Sequence, residues 1–213
     1  MAAFMSDDRE SLSHCLNRLL SSLDDADGIT LNDVFSQVGD KGFGVLLVVL
    51  AIPSALPVPA AGYSTPFGIL IAILSLQMIF GRSTLWLPSR AKKIKLKREL
   101  FRKMVHSTNL FFSRFEHLIK PRLRWIGSRL GLLILGLLVL IMACLMILPI
   151  PLTNTAPAMV IFVVGVGLSE DDGIFAGVAC VLGLLAVLLY AYIIYLALTR
   201  GVEGMEKVLE KIF

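Results

Sequence analysis

Two clusters of hydroxyl and amide side chains stand inside otherwise apolar runs. Tyr63, Ser64 and Thr65 form one, and Thr153, Asn154 and Thr155 form the other. These groups suit binding more than covalent chemistry. They donate and accept hydrogen bonds, but no nucleophile sits beside a base. A polar side chain at bilayer depth must find a partner, so each cluster is a candidate contact for a substrate or ion. The alternative is that both clusters only satisfy backbone groups freed by the turns that carry them. Arg82 is a further candidate. It either attracts an anionic headgroup or anchors a membrane boundary.

The search for catalytic sets is negative. His14, His106 and His117 have no metal-ligand spacing, and Cys15, Cys144 and Cys180 show no paired spacing. There is no Walker loop and no Gly-rich dinucleotide fingerprint. No enzyme activity, metal or cofactor is expected. Glu170, Asp171 and Asp172 read as a solvated acidic turn, with a cation site or proton relay as the alternative.

The elements that must position the two clusters are repeats of one another. Leu56-Pro57-Val58-Pro59 interrupts one apolar run, and Leu148-Pro149-Ile150-Pro151 interrupts another 92 positions later. At the same offset Gly44 aligns with Gly136, and Gly81 with Gly173. Each copy is an apolar arm, a Pro-rich polar break and a second apolar arm. Pro66 and Pro157 close the two breaks. Gly44 to Leu56 is 13 residues and Phe67 to Phe80 is 14, whereas a spanning helix needs about 20. Proline removes a donor and clashes with the preceding turn. The pattern therefore predicts re-entrant hairpins with their tips at membrane depth, where irregular backbone must be shielded by protein or a water-filled cavity. In the second copy Leu130–Leu148 is 19 residues and long enough to span, while Ala158–Leu168 is only 11. Helix N-termini near Phe67 and Ala158 would aim positive dipole ends at the tips, a field that suits an anionic headgroup or phosphate.

Composition sets the environment. Of 213 residues 56% are apolar, and the mean hydropathy is +0.80. The expectation is one all-α, multi-pass membrane domain over residues 1–213. The first 40 residues are polar and acidic, so no cleavable signal peptide is expected. Residues 1–43 carry net charge −5, and residues 82–129 carry +12. By the positive-inside rule the basic linker is cytoplasmic.

Five segments follow. Residues 7–43 hold amphipathic helices. The first, 7–23, places Leu12, Cys15, Leu16, Leu19, Leu20 and Leu23 on one face, and Thr30 with Asp33 resembles a capping box. Residues 44–81 are the first hairpin. Residues 82–129 form a basic interfacial linker with Trp86 and Trp125 as headgroup-level anchors; residues 90–103 would meet anionic lipid, and no nucleic acid is expected. Residues 130–172 are the second hairpin. Residues 173–213 hold a spanning helix, Ile174–Leu198, and a separate short amphipathic helix.

Several stretches together resemble the ExoD family of bacterial membrane proteins, associated with exopolysaccharide synthesis. They are Leu56-Pro57-x-Pro59, Gln77-Met78-x-x-Gly81-Arg82 with Trp86-Leu87-Pro88, Pro121-Arg122-Leu123, Leu148-Pro149-Ile150-Pro151 with Asn154 and Pro157-Ala158, and Asp172-Gly173. The resemblance runs from about Thr30 to Gly177. Leu152 departs from it, since an aromatic often follows the second break in this family. The resemblance implies an inner-membrane protein needed for normal exopolysaccharide production, with no assigned catalytic activity. In plan, the paired hairpins are also similar to DedA-type membrane proteins, which handle lipid carriers.

The favoured function is transporter-like or lipid-carrier handling at the paired tips, in a homodimer. A non-transporting scaffold or regulator of polysaccharide-synthesis machinery is the alternative. Hairpin direction separates them. Opposed hairpins favour a transport site, and hairpins that enter from one side favour the scaffold.

Overall fold

The computed structural model describes residues 28–33, 42–55, 64–82, 85–115, 119–147 and 154–212. The expected helix at 7–23 lies outside them, as do Tyr63, Thr153 and the breaks at Pro57, Pro59, Pro149 and Pro151.

The described chain is helical apart from one small ribbon. In order it runs β1 (Gly28–Thr30), α1 (Gly42–Ala55), α2 (Ser64–Ile79), α3 (Ser89–Lys92), β2 (Lys95–Lys97), α4 (Arg98–Phe115), a 3-10 turn (Arg124–Gly127), α5 (Arg129–Ile147), α6 (Thr155–Ser169) and α7 (Gly173–Ile212). β1 pairs antiparallel with β2, Gly28 opposite Lys97 and Thr30 opposite Lys95. After β1 the expected capping box is present. Asp33 Oδ2 accepts from the Thr30 N–H at 2.8 Å and from its hydroxyl at 2.6 Å, and the Asp33 N–H donates back to Thr30 Oγ1 at 3.2 Å.

α1, α2, α5 and α6 are the four arms of the two copies. The main contacts cross between copies: α1 packs on α6, and α2 packs on α5. Both pairs are antiparallel. Gly44, near the start of α1, lies against Ser169 and Gly165 at the end of α6. Gly136, early in α5, lies against Met78 and Ile79 at the end of α2, while Gly68 at the start of α2 meets Ala143 and Ile147 at the end of α5. Both hairpins therefore run the same way. The last residues of α1 and α5 and the first of α2 and α6 gather at one end, the tip end. The ribbon, the basic linker and the 170–173 turn gather at the other, the linker end. Exchanging one copy for the other maps each pair onto its counterpart, which is a two-fold relation about an axis along the helices.

The burial pattern fits these contacts. α1 is apolar all round, and from Val45 to Ala51 no residue is more than 2% exposed. An all-round apolar helix belongs in a core. Pro53 sits inside α1 without ending it, although it withholds the N–H that the Val49 carbonyl would accept. The outer surface is also apolar. Leu130, Leu137 and Ile141 on α5 and Val181, Leu184, Leu185 and Leu188 on α7 are exposed. Arg129–Ile147 and Gly173–Tyr195 are long and apolar enough to cross a membrane, by length and composition. α7 then continues to Ile212, so the separate C-terminal helix expected after Leu198 is a continuation. Gly201 and Gly204 cost roughly 1 kcal/mol each in a helix and do not stop one already propagating.

The basic linker also differs from expectation. Its main helix, α4, turns Phe101, Met104, Val105 and Thr108 into the protein. The Phe111 ring stands edge-on to Phe162 at 5.0 Å and to Phe175 at 6.1 Å. Of the apolar stripe expected to meet the membrane, Phe101, Met104 and Phe111 are thus turned into the protein, Phe111 against α6 and α7.

Candidate functional site

The tip end holds the described members of the two polar clusters. Ser64 and Thr65 are the first residues of α2, with Thr65 exposed. Thr155 opens α6 and is half-buried. Asn154 occupies the N-cap position with φ −68° and ψ −21°, and its side chain makes no capping hydrogen bond. Its Oδ1 is buried and has no hydrogen-bond partner among the described residues. The two helix starts carry backbone N–H groups without intrahelical acceptors and a positive partial charge. Hydroxyls, an amide and positive helix ends can hold a phosphate or a sugar hydroxyl there.

The remaining described candidates are Arg82, Pro66 and Pro157. Arg82 is exposed just beyond Gly81, at the linker end of α2. A 16-residue helix separates it from the tips, about 24 Å at 1.5 Å per residue. Pro66 and Pro157 are third residues of α2 and α6, so they lie inside helices instead of breaking them. The first N–H groups of a helix have no intrahelical acceptor, and a proline there forfeits no bond.

Sequence reasoning missed a second constellation at the linker end. Asp172 was expected in a solvated turn, yet it is fully buried. Its Oδ1 caps α7, accepting from the N–H groups of Ile174 at 2.9 Å and Phe175 at 3.2 Å. Oδ2 accepts from the Lys120 N–H at 3.0 Å, and Arg122 Nε approaches Oδ1 at 3.5 Å. Backbone bonds run beside them. The Arg122 N–H donates to the Asp171 carbonyl at 3.2 Å, and the Gly173 N–H donates to the Arg122 carbonyl at 2.8 Å. Trp125 Nε1 donates to the Gly173 carbonyl at 3.0 Å, so this indole is a clasp across the turn more than a headgroup anchor. The effect is to strap residues 120–125 to the start of α7. The signal was an Asp directly before a long apolar run, which is an N-cap signature.

Gln77 performs a similar task in the first copy. Its Nε2 donates to the Trp86 carbonyl at 2.8 Å and to the Ile73 carbonyl at 3.1 Å, and its Oε1 accepts from the Trp86 N–H at 2.7 Å. The linker's first residues are thereby held against α2. α2 and α6 end alike. The Arg82 N–H bonds the Gln77 carbonyl with Gly81 at φ +65°, and the Asp172 N–H bonds the Gly167 carbonyl with Asp171 at φ +54°. Gly81 thus corresponds to Asp171 in its role, not to Gly173, with which it aligns. Gly173 starts α7.

The motifs at both ends are those that carry the family resemblance, and direct comparisons extend it. The family model described as "Exopolysaccharide synthesis, ExoD" matches residues 12–192. The chain is 39% identical over 179 residues to the Synechocystis sp. protein named "Uncharacterized protein slr1875", covering 84% of each. It is 28% identical over 212 residues to "Protein ExoD" of Rhizobium meliloti, covering 97% of this chain and 86% of that one. No solved structure matches. With most of its length inside the family model and its buried clasps built from the same motif residues, the chain belongs to the ExoD family, the family of exopolysaccharide synthesis.

Proposed function

We propose that this protein is a multi-pass protein of the bacterial inner membrane that handles an anionic lipid-linked sugar during exopolysaccharide synthesis, at its paired hairpin tips. One observation carries the reading. The starts of α2 and α6 gather at one end, and there the Asn154 amide oxygen is buried without a partner among the described residues. At 14 and 16 residues, α1 and α2 extend about 21 and 24 Å. Measured from a membrane face at the linker end, they stop short of a core about 30 Å thick. Tip backbone then lies at membrane depth, where positive helix ends favour an anionic headgroup. The basic linker makes its end cytoplasmic, so the tips open toward the opposite face. Repeats related by an axis along the membrane normal are one of the known plans of membrane transporters.

A second reading is favoured by the common direction of the hairpins. It removes the inverted-repeat argument for alternating access and suits a membrane scaffold that recruits polysaccharide-synthesis enzymes through its basic linker. One comparison separates the two, made in a strain whose sole family member is this protein. Thr153→Ala with Asn154→Ala abolishes polysaccharide output while the protein still accumulates in the membrane, if the tips bind the carrier. Reversing charge at Lys92, Lys93, Lys95 and Lys97 abolishes it instead, with the tip variant silent, if the chain is a scaffold.

A further inference from the structure

We propose that α7 pairs two copies of this chain in parallel, along a seam that starts inside the membrane and continues past it at the tip end. The inference rests on the membrane reading above and not on what the tips bind. α7 carries residues in rows at alternating spacings of three and four. The inner row is Ala176, Ala179, Gly183, Ala186, Tyr190 and Ile193, all buried. It is taken up within the protein, where Ala176 lies against Gly167 of α6 and Gly183 against Leu138 of α5. The outer row is Ile174, Gly177, Val181, Leu184, Leu188, Ala191 and Tyr195. Val181 and Leu184 are each 61% exposed, Leu188 is 58% and Tyr195 is 61%. A Cβ on Gly177 would meet nothing within 4 Å.

Lipid tails could cover these side chains as well as a partner could. The length of α7 decides between them. Its 40 residues measure about 60 Å, twice the apolar core of a bilayer. The exposed Tyr192 and Tyr195 stand about 27–32 Å along the helix from Ile174, the depth of the opposite interface, where tyrosines gather. α7 then continues to Ile212, about 25 Å further, where no lipid tail reaches. There the rows part company. The spacing of the inner row falls on Arg200, Gly204, Lys207 and Lys211. The row of Val178, Leu182, Leu185 and Tyr192 runs on to Thr199, Glu203, Glu206 and Glu210. The outer row alone stays apolar at every position, as Leu198, Val202, Met205, Leu209 and Ile212. Such a pattern sustained over five heptads is that of a coiled coil, and a left-handed supercoil keeps the seam on one side. No other described helix exceeds 19 residues, so within this chain nothing described can follow the seam to its end. A second α7 matches it in length and phase. Both copies insert with the same orientation, which makes the pairing parallel. Gly177 and Ala191 let the two backbones come close inside the lipid. The consequence is that two tip ends open on the same side, one on each flank of the paired helices.

The test uses the full chain in isolated membranes, with Cys15→Ala, Cys144→Ala and Cys180→Ala. Single cysteines are placed on the seam by Leu188→Cys and Met205→Cys. Leu182→Cys, at an exposed position off the seam, and Lys207→Cys are their controls. After oxidation with copper phenanthroline, disulfide-linked dimer is measured on denaturing gels. The expected result is a severalfold excess of dimer for L188C over L182C and for M205C over K207C. Self-linking at both depths requires parallel helices, since an antiparallel pair brings equal residues together only at its midpoint. Val202→Lys with Leu209→Lys, which lie past the membrane-crossing stretch, lowers the L188C link to the L182C level. If that double variant fails to accumulate, the four single positions decide by themselves. Equal yields on and off the seam overturn the proposal, as does an excess at L188C without one at M205C, since the seam then ends with the lipid. Alkaline carbonate extraction of the same membranes separates the two readings. A chain that stays in the membrane with no excess link overturns the pairing alone, whereas a released chain overturns the membrane reading and the pairing with it.

Discussion

Asp172 replaces a hydration shell with four protein groups. Two are the N–H groups of Ile174 and Phe175 in the first turn of α7, one is the Lys120 N–H and one is Arg122. Asp172→Ala removes the cap and leaves buried donors without an acceptor. The expected loss is about 1–3 kcal/mol in a denaturant or thermal titration in detergent. Asp172→Asn keeps one oxygen for the cap but turns an NH2 donor toward the Lys120 N–H, so it retains only part of that stability. A D172A protein as stable as the parent would mean that the clasp contributes nothing. Gly81 supplies a cleaner backbone test. A Cβ there meets nothing within 4 Å, and φ is +65°. Gly81→Ala therefore lowers stability by about 1 kcal/mol through backbone conformation alone, and Gly81→Asn recovers part of it. Equal melting temperatures for G81A and the parent would show that the left-handed turn is not needed.

At the scale of elements, the arms were legible and their pairing was not. Pro-rich breaks and arm lengths located α1, α2, α5 and α6 to within a few residues, because proline and apolar run length act locally. Partner choice is different. α1 is apolar on every side, so no periodic face says which neighbour it wants. What selects α6 is close approach. A methyl group on Gly44 would sit 2.6 Å from the Ser169 nitrogen and 2.8 Å from the Gly165 carbonyl oxygen. Such backbone contacts cannot yield, so Gly44→Ala, and Gly165→Ala facing Gly44 and Val48, are each expected to cost roughly 1–3 kcal/mol by overpacking. Folded yield after detergent extraction reads this directly, and unchanged yield would mean the helices have room to separate. Of the candidate site, the polar clusters were legible because hydroxyl and amide residues are conspicuous in apolar runs. Asp172 and Gln77 were harder. Their partners, Lys120 and Trp86, are 52 and nine residues away, and a buried carboxylate reads like a solvated one until those partners are known.

For the whole molecule the decisive property is direction. The linker between the hairpins returns to the end from which the first hairpin set out, held there by Gln77, Trp125 and Asp172. Single cysteines at Lys93 and Glu170 are thus expected to react with an impermeant maleimide from the same side of the membrane, in a background without Cys15, Cys144 and Cys180. Reaction from opposite sides would show that the repeats are inverted and would restore the alternating-access argument. If the linker's positive charge orients the chain as proposed, labelling is expected in inverted vesicles and not in intact cells.

The crossed pairing of arms also sets an order of assembly. Gly44 and the Gly165 that receives it are 121 residues apart. At 5–20 residues per second, synthesis delivers the second about 6–24 s after the first. During that interval α1 has neither its partner nor a long enough apolar run to cross the bilayer unaided. Each half of the molecule holds an arm that only the other half can cover, so neither repeat is a finished unit when it leaves the ribosome. If the chain inserts in a membrane as proposed, the first hairpin has to wait beside the insertion machinery or be shielded by lipid until the second arrives. Fragments 1–92 and 93–213 made together should then find each other, while either made alone should be degraded.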